Sequence, residues 1–381
     1  MRMTRREALR LGALAAASPW LPFVAEAESL IAPYLTLYKY PTLLLGPSNV
    51  AGSFDAKSVD DPIVFRADGR FYMLYVGFDG TGYQTGLASS EDLLVWKREG
   101  LVGPRDASSE YTKYNLAISS ILRDKTLHGR GEAIKVDGQY LAAWNAYPGA
   151  GYEEGAAVIG LARSRDLRHW DLSEPILRPE GGAAWERGGL YRPDLMREET
   201  HGKQMYYLYY NAKTETLPKR EGGGWREQTG VATSEDLKTW TRSPLNPILP
   251  NGVRGTDTYP SANAARHVMP PLKDARDSRF ASNPYVVKYK KQYAMFYFGF
   301  GYARPGRACE MLAVGNDPFH FTKAEQVLID TGAPGTVDET FAHKPSVIFH
   351  EGALYHFYCA VAGKYPHEVR GIAVARSTPF R

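Results

Sequence analysis

Ser90-Glu91-Asp92-Leu93-Leu94-Val95-Trp96 is the first of three stretches that share the pattern Ser-x-Asp-Leu-x-x-Trp. The second starts at Ser164 and the third at Ser234, so the serines are spaced by 74 and then 70 residues. A worn fourth copy stands at Asn316-Asp317-Pro318-Phe319, within a chain of 381 residues. Similarity at a nearly fixed period indicates that one supersecondary unit is used several times.

Short β-rich runs surround each copy of the pattern. In the first unit, residues 62–65 and 71–75 flank a turn at 67–70, residues 85–89 lead into the motif, and Trp96 begins a fourth run. Aromatic-rich second runs recur at residues 140–144, 205–209, 293–297 and 354–358. Short strands between Gly- and Asp-bearing turns are typical of all-β proteins, and radial repetition of four-stranded units makes a propeller. The sequence therefore predicts an all-β, five-bladed β-propeller with four antiparallel strands per blade.

The repeated motif itself is interpreted as structural. Ser and Asp suit the turn after the third strand, because their side-chain oxygens accept hydrogen bonds from nearby backbone N–H groups. The Leu and Trp of each copy are expected to pack between neighbouring blades. A functional role for the motif aspartates is the less favoured alternative.

The N-terminal residues have the pattern of an export signal. Thr4-Arg5-Arg6 resembles a twin-arginine signal, residues 11–17 form a weakly apolar stretch, and Ala25-Glu26-Ala27 offers a small-residue cleavage site. We therefore expect residues 1–27 to be a signal peptide and residues 28–381 to be a single catalytic propeller domain that is periplasmic or secreted. The alternative is an ordinary amphipathic helix.

Composition excludes several classes of function. The net charge of +4 is mild and spread along the chain, which gives no footprint for nucleic acid or for a membrane surface. No stretch after the signal is long and apolar enough to span a bilayer, and nothing indicates an obligate protein partner. Only Cys309 and Cys359 occur, without zinc-binding spacing. They either pair in an oxidising compartment or remain two packed thiols.

The predicted active site lies where the innermost strand of each blade enters the central channel, because binding residues sit at the ends of rigid elements. All five predicted entrances are polar or charged. They read Asp60-Asp61-Pro62, Arg130-Gly131-Glu132, Tyr191-Arg192-Pro193-Asp194, Asn283-Pro284 and His343-Lys344-Pro345. A ring of unlike charges around one concave mouth indicates chemistry. The alternative is that the cations only neutralise the carboxylates, and both interpretations can hold together.

Several carboxylates that face a channel suit the cleavage of glycosidic bonds. One carboxylic acid protonates the leaving oxygen, while a second carboxylate activates water or attacks the anomeric carbon. The candidates for these two roles are Asp61, Glu132 and Asp194. Aromatic side chains on loops would add flat faces for sugar rings. The candidates for stacking are Tyr147, Trp185, Tyr191, Trp225 and Tyr259.

Asp60-Asp61-Pro62, the run at residues 71–75 and Gly86-Leu87-Ala88-Ser89-Ser90 together resemble the first blade of the five-bladed glycoside hydrolases. These are the wide group around families 43, 32, 117 and 130, and the resemblance covers nearly all of the chain after the signal. It implies the fold more specifically than the reaction. In family 43, the aspartate before the first-blade proline acts as base, which maps to Asp61.

Two positions depart from the family pattern. Residues 191–196 resemble the family 32 segment that carries an acid/base glutamate, but Tyr191 holds the glutamate's position. Arg130 stands where families 43 and 32 have an aspartate. Family 130 instead has a single acid at the second-blade entrance, near which Glu132 falls. The resemblance thus leaves Glu132 and Asp194 as competitors for the acid.

The remaining candidates are assigned to substrate binding. Residues i and i+2 lie on the same face of a strand, so Arg130 and Arg192 are expected to flank Glu132 and Asp194 in the channel. These two arginines, with His343 and Lys344 around one cavity, suggest an anionic group on the substrate, such as a uronic acid or a sulfated sugar, or inorganic phosphate. His343 is equally well interpreted as a hydrogen-bonded scaffold residue. The long irregular stretch at residues 251–279 is expected to shape substrate choice. The full predicted binding set is Asp60, Arg130, Tyr191, Arg192, Asn283, Glu339, His343 and Lys344.

The sequence therefore predicts an exported glycosidase that acts on an oligosaccharide or a polysaccharide fragment without a required cofactor. A calcium ion in the channel, as in some family 43 members, is an open alternative. A family-130-like phosphorylase and a non-catalytic carbohydrate-binding propeller are the two competing functions. The residues do not distinguish an inverting from a retaining mechanism, and they name neither the sugar nor the linkage.

Overall fold

The computed structural model describes residues 31–151, 153–200, 202–216, 224–253, 274–302, 306–364 and 367–380. The predicted signal peptide, most of the stretch at 251–279 and Tyr259 lie outside the described residues. The chain divides into two units, Met1–Leu35 and Thr36–Arg381. In the described part of the first, a 3-10 turn spans Ala32–Tyr34. Across the described ranges, the chain contains no helix with the length and apolar character of a membrane span.

The strands of the second unit form successive antiparallel sets. A two-residue strand, β1 (Tyr38–Lys39), precedes them. The first set contains β2 (Ser58–Ala67), β3 (Arg70–Phe78), β4 (Tyr83–Ser90) and β5 (Lys97–Gly103), paired in that order. The second set contains β6 (Ala117–Ile121), β7 (Lys135–Val136), β8 (Gln139–Ala146), β9 (Val158–Ser164) and β10 (Asp171–Leu177).

The later sets repeat this order after two short 3-10 turns at Pro179–Gly181 and Ala184–Glu186. The third set contains β11 (Gly189–Thr200), β12 (Lys203–Lys213), β13 (Glu227–Ser234) and β14 (Thr241–Arg242). The fourth contains β15 (Phe280–Tyr289), β16 (Gln292–Phe300), β17 (Ala308–Gly315) and β18 (Thr322–Lys323). The fifth contains β19 (Phe341–His350), β20 (Ala353–Ala362) and β21 (Val369–Arg376), and β1 pairs with β21.

The prediction of an all-β protein is confirmed. The count of five blades with four strands each stays a prediction. The second described set has a fifth short strand, β7, which pairs with β8.

Apolar clusters join four pairs of strand sets among the described residues. Phe65 and Leu74 of the first set pack with Trp144 of the second, and similar clusters join the second set to the third and the third to the fourth. Another cluster joins Met73 of the first set to Phe357 of the fifth. The sheets are therefore covered by their neighbours, which is how an all-β fold buries both faces of a strand set.

The repeated motif is a structural turn, as predicted. In its first copy, Ser90 Oγ accepts a hydrogen bond from the Leu93 N–H at 2.9 Å, and Asp92 Oδ1 accepts from the next two backbone N–H groups. Trp96 Nε1 donates to the Leu93 carbonyl at 3.0 Å, and Leu93 adopts a positive φ of 67°. The equivalent bonds occur in the copies that start at Ser164 and Ser234.

The Leu and Trp of the motif pack between neighbouring sets, which confirms the second part of this prediction. Leu93 and Trp96 lie in the cluster that joins the first and fifth sets, and the Trp96 ring meets Phe357 edge to face at 5.9 Å. Leu167 and Trp170 lie between the first and second sets. The motif thus stabilises contacts between sets and lies away from the pocket described below.

Glycine precedes each full copy because an aromatic ring covers that position. A Cβ at Gly86 would lie 2.4 Å from the ring of Tyr75, and one at Gly160 would lie 2.3 Å from Trp144. Gly230 faces Tyr210 in the same way. The neighbouring strand therefore approaches so closely that no larger residue fits.

A β-bulge interrupts four of the inner strands at an X-Pro step, namely β2, β11, β15 and β19. The residue before the proline has a left-handed backbone in each: φ is 60° at Asp61, 48° at Arg192, 56° at Asn283 and 66° at Lys344. Such a conformation is uncommon for residues other than glycine, and a bulge aims a side chain differently from regular strand. Backbone strain of this kind concentrates at functional sites. The bulges therefore identify one end of the inner strands as the place to seek function.

Candidate active site

The bulged ends of the inner strands converge on one cavity of about 300 Å³, which residues from all five strand sets line. This volume falls at the lower end of the range for small-molecule sites. Seven of the residues predicted for the site line it: Asp60, Asp61, Tyr191, Arg192, Asn283, His343 and Lys344. Of the stacking candidates, Tyr147 and Trp225 also line it. Four charged residues that the sequence did not single out join them: Glu153, Glu227, Arg279 and Arg370.

Asp61 and Arg192 form a buried ion pair in the lining of the cavity. Arg192 Nε lies 2.5 Å from Asp61 Oδ1, and the guanidinium also donates to the Ser119 carbonyl at 2.6 Å. Burial raises the pKa of Asp61 above its ordinary value, although the positive charges of Arg192 and Lys344 act against that rise. Part of the charge in the predicted ring is therefore neutralised internally, which was the alternative interpretation.

Asp60 is held as an ionised carboxylate by two cations. Its Oδ2 accepts hydrogen bonds from Lys344 Nζ at 2.6 Å and from Arg370 at 3.2 Å. Burial alone would raise the pKa of Asp60, but the charges of Lys344 and Arg370 outweigh it and hold the pKa well below its usual range. Asp60 therefore neutralises the cations that could otherwise bind an anionic ligand.

His343 is tied to the scaffold while its ring lines the cavity. Its Nδ1 lies 3.0 Å from the Cys359 carbonyl, so Nδ1 carries the proton, and Nε2 lies 3.4 Å from Arg370. Burial lowers the pKa of His343 to about 3, so the ring is neutral at neutral pH. These contacts support the interpretation of His343 as a hydrogen-bonded scaffold residue.

Asp60, His343 and Cys359 are close enough to share a metal ion, since one potential ligand atom of each lies within 4.8 Å of the others. Their other contacts do not suit calcium. Lys344 and Arg370 already bind Asp60, and a thiol and an imidazole are poor ligands for a cation that prefers oxygen. This cluster therefore does not fit the calcium ion that the resemblance allows. Cys309 and Cys359 are buried and form no disulfide.

Glu227, at the start of β13, presents a firmly held carboxylate to the cavity. It accepts hydrogen bonds from Trp225 Nε1 at 2.7 Å, Ser282 Oγ at 2.6 Å and Asn211 Nδ2 at 3.1 Å. Three donors fix the direction in which this carboxylate points. Only 4% of Glu227 is exposed, so its position depends on these bonds.

Glu153 reaches the cavity from the loop between β8 and β9. Its φ of 64° and the glycines at positions 151 and 155 allow the tight backbone of this loop. Burial raises the pKa of Glu153, and the charge of Glu227 raises it further, although Lys344 and Lys213 act in the opposite direction. The cavity thus holds one carboxyl group with a raised pKa together with a second carboxyl group that three donors orient. Acid–base catalysis at one centre uses two carboxyl groups in different surroundings.

Lys213 anchors the Glu153 loop from below. Its Nζ donates to the Glu153 carbonyl at 3.2 Å. The same ammonium lies 5.1 Å from the ring of Tyr147, 5.9 Å from Tyr191 and 5.3 Å from Trp225. Cation–π contacts of this kind hold a partly buried ammonium in place without a carboxylate partner.

Glu132 and Arg130 do not lie at the cavity. The inner strand of the second set is β6, and Arg130-Gly131-Glu132 belongs to the connection from β6 to β7. Glu132 pairs with Arg66 at 3.8 Å with 43% of its side chain exposed. Since Arg66 follows Asp61 by five residues along β2, this pair lies about 16 Å from the bulge. The predicted second entrance was wrong because the connection is longer than in the other sets, and residues 116–121 were the strand signal.

Asp194 is buried below the cavity and binds other strands. Its Oδ2 accepts a hydrogen bond from the Val286 N–H of β15 at 2.8 Å, and its Oδ1 pairs with buried Lys125. The expectation that residues 192 and 194 face the channel together was wrong. It assumed regular alternation, whereas the bulge between Tyr191 and Asp194 shifts the register.

Glu339 lies beside the cavity in a second cleft of about 880 Å³. Its carboxylate accepts hydrogen bonds from the backbone N–H groups of Gly335 at 2.6 Å and Gly363 at 2.9 Å, which lower its pKa. Both bonds tie loops together. Glu339 therefore orders the loops at the edge of the site and does not line the cavity itself.

The known proteins that this chain resembles are named as enzymes of carbohydrate chemistry, which agrees with the geometry of the cavity. No protein-family model matches the chain. A curated relative, the 1,2-beta-oligomannan phosphorylase of Thermoanaerobacter sp. (strain X514), is 27% identical over 173 residues, which are 44% of this chain and 47% of the relative. The chain thus matches about half of that relative's length.

Solved structures match over almost the whole chain. The structure of a BT0996 RGII complex is 28% identical with a TM-score of 0.75, and the alignment covers 93% of this chain and 96% of that one. A structure described as a glycoside hydrolase is 27% identical with a TM-score of 0.74 over 93% and 96% of the two chains. A family 130 structure, 18% identical with a TM-score of 0.57 over 89% and 94%, shares the fold. The chain is thus similar over almost its whole length to solved structures of glycoside hydrolases, the group that its sequence resembles.

Proposed function

We propose that this protein is a glycoside hydrolase whose reaction is carried out by Glu153 and Glu227. The observation that carries the proposal is their convergence on one cavity in unlike surroundings. Burial raises the pKa of Glu153, whereas three donors hold the Glu227 carboxylate. Glycosidases need this division between an acid and a carboxylate.

In the proposed reaction, the Glu153 carboxyl group donates its proton to the glycosidic oxygen as the bond from that oxygen to the anomeric carbon breaks. Glu227 either takes a proton from the water that attacks the anomeric carbon or attacks that carbon itself; in the second route the Glu153 carboxylate then takes a proton from a water that displaces Glu227 from the anomeric carbon. The products are the leaving sugar with a new hydroxyl hydrogen and a sugar with a hydroxyl group at its anomeric carbon. Developing positive charge on the sugar ring is stabilised by the nearby carboxylates.

Asp61 keeps a supporting role in this proposal. The resemblance makes it the leading base candidate, and it lines the cavity, but Arg192 holds its carboxylate at 2.5 Å. A paired carboxylate below the reacting centre suits the orientation of a sugar hydroxyl better than proton abstraction. Asn283, on the neighbouring bulge, offers an amide for the same purpose.

Phosphorolysis is the second candidate, because the curated relative is a phosphorylase. A phosphorylase needs cations for inorganic phosphate at the position of the attacking water. Here Lys344 and Arg370 bind Asp60, and Arg192 pairs with Asp61. Three of the four arginine and lysine side chains that line the cavity are thus neutralised internally, which favours water as the acceptor.

We further propose that the five strand sets are five blades around the cavity and that residues 1–27 direct export. The names of the relatives suggest two substrate classes to test, β-1,2-linked mannan oligosaccharides and fragments of RGII. A carbohydrate-binding propeller without catalysis would bind such sugars and release no product.

The test is product release by the purified chain from a panel of these two classes, with and without inorganic phosphate. We expect reducing sugar to appear without phosphate and Glu227→Gln to lower the rate by at least about 100-fold, as removal of a catalytic carboxylate does. Glu174→Gln is the matched control, since 84% of that side chain is exposed. Binding without turnover, or release of a sugar 1-phosphate only with phosphate, would contradict hydrolysis.

A further inference from the structure

Arg279 differs from the other charged residues of the cavity in the partners that it has. Arg192, Lys344 and Arg370 each contact a carboxylate of Asp60 or Asp61. Across the described ranges, no carboxylate lies within 4.0 Å of the Arg279 guanidinium, although this side chain lines the same cavity.

The guanidinium of Arg279 is nevertheless held firmly. Its Nε donates to the Trp225 carbonyl at 3.2 Å, and its centre lies 4.9 Å from the ring of Phe280, 5.6 Å from Trp225 and 5.7 Å from Phe300. A Cβ at Gly224 would lie 2.4 Å from Nη2, so the glycine makes room for it. Among the described residues, the hydrogen bonds of this side chain use Nε and leave both terminal nitrogens without a protein acceptor.

Trp225 joins this guanidinium to the proposed catalytic carboxylate. Its carbonyl accepts from Arg279, while its Nε1 donates to Glu227 at 2.7 Å. The Glu227 N–H also donates to the Arg279 carbonyl at 3.0 Å, so a group bound by Arg279 would lie near the bond that Glu227 acts on. A fixed, planar guanidinium with two available terminal nitrogens is suited to bidentate binding of an oxyanion.

We infer that Arg279 is a specificity-determining residue that binds an anionic substituent, a carboxylate or a sulfate, on the substrate sugar beside the scissile bond. The location of this binding site beside the scissile bond rests on the proposed function. Arg279 replaces Arg130, Arg192 and Lys344 as the reason to expect an anionic substrate. Inorganic anions should bind less tightly than an anionic sugar, because the aromatic rings around Arg279 are placed to contact a sugar ring as well.

Binding tests the inference without requiring turnover. Titration calorimetry would compare D-glucuronate, D-galacturonate and D-galactose 6-sulfate with D-glucose and D-galactose on the full chain. We expect at least one anionic sugar to bind about 10- to 100-fold more tightly than its neutral counterpart and to lose that advantage in Arg279→Gln. The uronates and the sulfated sugar distinguish the two sources of the anion. Arg279→Lys, which keeps the charge but not the fork, should recover part of the loss.

Arg276→Gln is the matched control, because it removes the same charge three residues away from an exposed pair with Asp330 at 3.5 Å. Melting curves confirm that each variant is folded, and unchanged affinity for neutral sugars reports an intact cavity. The inference is overturned if anionic and neutral sugars bind equally, or if folded Arg279→Gln keeps the preference. Failure of turnover in every variant, with the anionic preference intact, would count against the hydrolase proposal instead.

Discussion

The substitution Asp194→Leu tests whether the Asp194 carboxylate is structural or catalytic. The substitution removes the partner of Lys125, which is 5% exposed, and the acceptor of the Val286 N–H. Breaking a buried ion pair by removing one partner costs about 3–5 kcal/mol, because the other charge is left uncompensated. With an unfolding entropy of about 2.1 cal/mol/K per residue, a unit of this size should melt about 4–7 °C lower.

The assay combines thermal melting with kcat/KM measured well below the lowered melting temperature. We expect Asp194→Leu to melt several degrees lower and to keep its activity within about 3-fold of the unmodified chain, because Asp194 does not line the cavity. The double variant Lys125→Met/Asp194→Leu removes both charges and should recover at least about 2 kcal/mol. A folded Asp194→Leu that loses activity as completely as Glu227→Gln would refute this account and restore Asp194 as a catalytic candidate.

Three smaller changes test other parts of the structure. Burial raises the pKa of Glu310 well above its ordinary value. The contribution of this group to stability is therefore full below the unfolded pKa of about 4.5 and is lost as pH rises. When melting is followed from pH 4.5 upwards, Glu310→Gln should become more stable relative to the unmodified chain. Ser234→Ala removes the acceptor of the Leu237 N–H and should cost about 1–2 kcal/mol in chemical denaturation without changing kcat; a large loss of kcat would contradict the structural interpretation of the motif. Lys213→Met removes a charge that lowers the pKa of Glu153, so the alkaline limb of the pH–rate profile should move to higher pH, while an unmoved limb would exclude Glu153 as the group that titrates there.

The fold was predictable because its repeat is local. Ser90, Asp92, Leu93 and Trp96 make their hydrogen bonds within one turn, so seven residues of sequence contain the whole signal. Four of the five predicted strand entrances were also visible, since each contains an X-Pro step, and Asp61, Arg192, Asn283 and Lys344 all line the cavity.

The two proposed catalytic residues were missed because they do not stand on inner strands. Glu227 begins the third strand of its set, and Glu153 lies on a hairpin loop whose length differs from those of the other sets. The partners that hold Glu227 come from three different parts of the chain: Trp225, Asn211 and Ser282. Their convergence depends on how strand sets meet in space. Only Trp225, two residues before Glu227, was a usable signal in the sequence.

The same limit explains the wrong candidates. Alternation of side chains along a strand predicted that Arg192 and Asp194 face one way, but a single extra residue at the bulge reverses that relation. The second entrance was predicted at Glu132, because the inserted connection between β6 and β7 has no mark in composition. In both cases one local irregularity moves a charged side chain to another surface.

The central claim is tested most directly by the activity of Glu153→Gln on two substrates with different leaving groups. Both substrates carry the sugar that the substrate panel identifies. The dinitrophenolate of a 2,4-dinitrophenyl glycoside leaves without being protonated, whereas the leaving sugar of an oligosaccharide needs a proton from the acid. The account predicts that Glu153→Gln loses about 100- to 10,000-fold in kcat/KM on the oligosaccharide but stays near the unmodified rate on the aryl glycoside, while Glu227→Gln loses on both. An equal loss of activity on both substrates in Glu153→Gln, or full activity in either variant, would contradict the account.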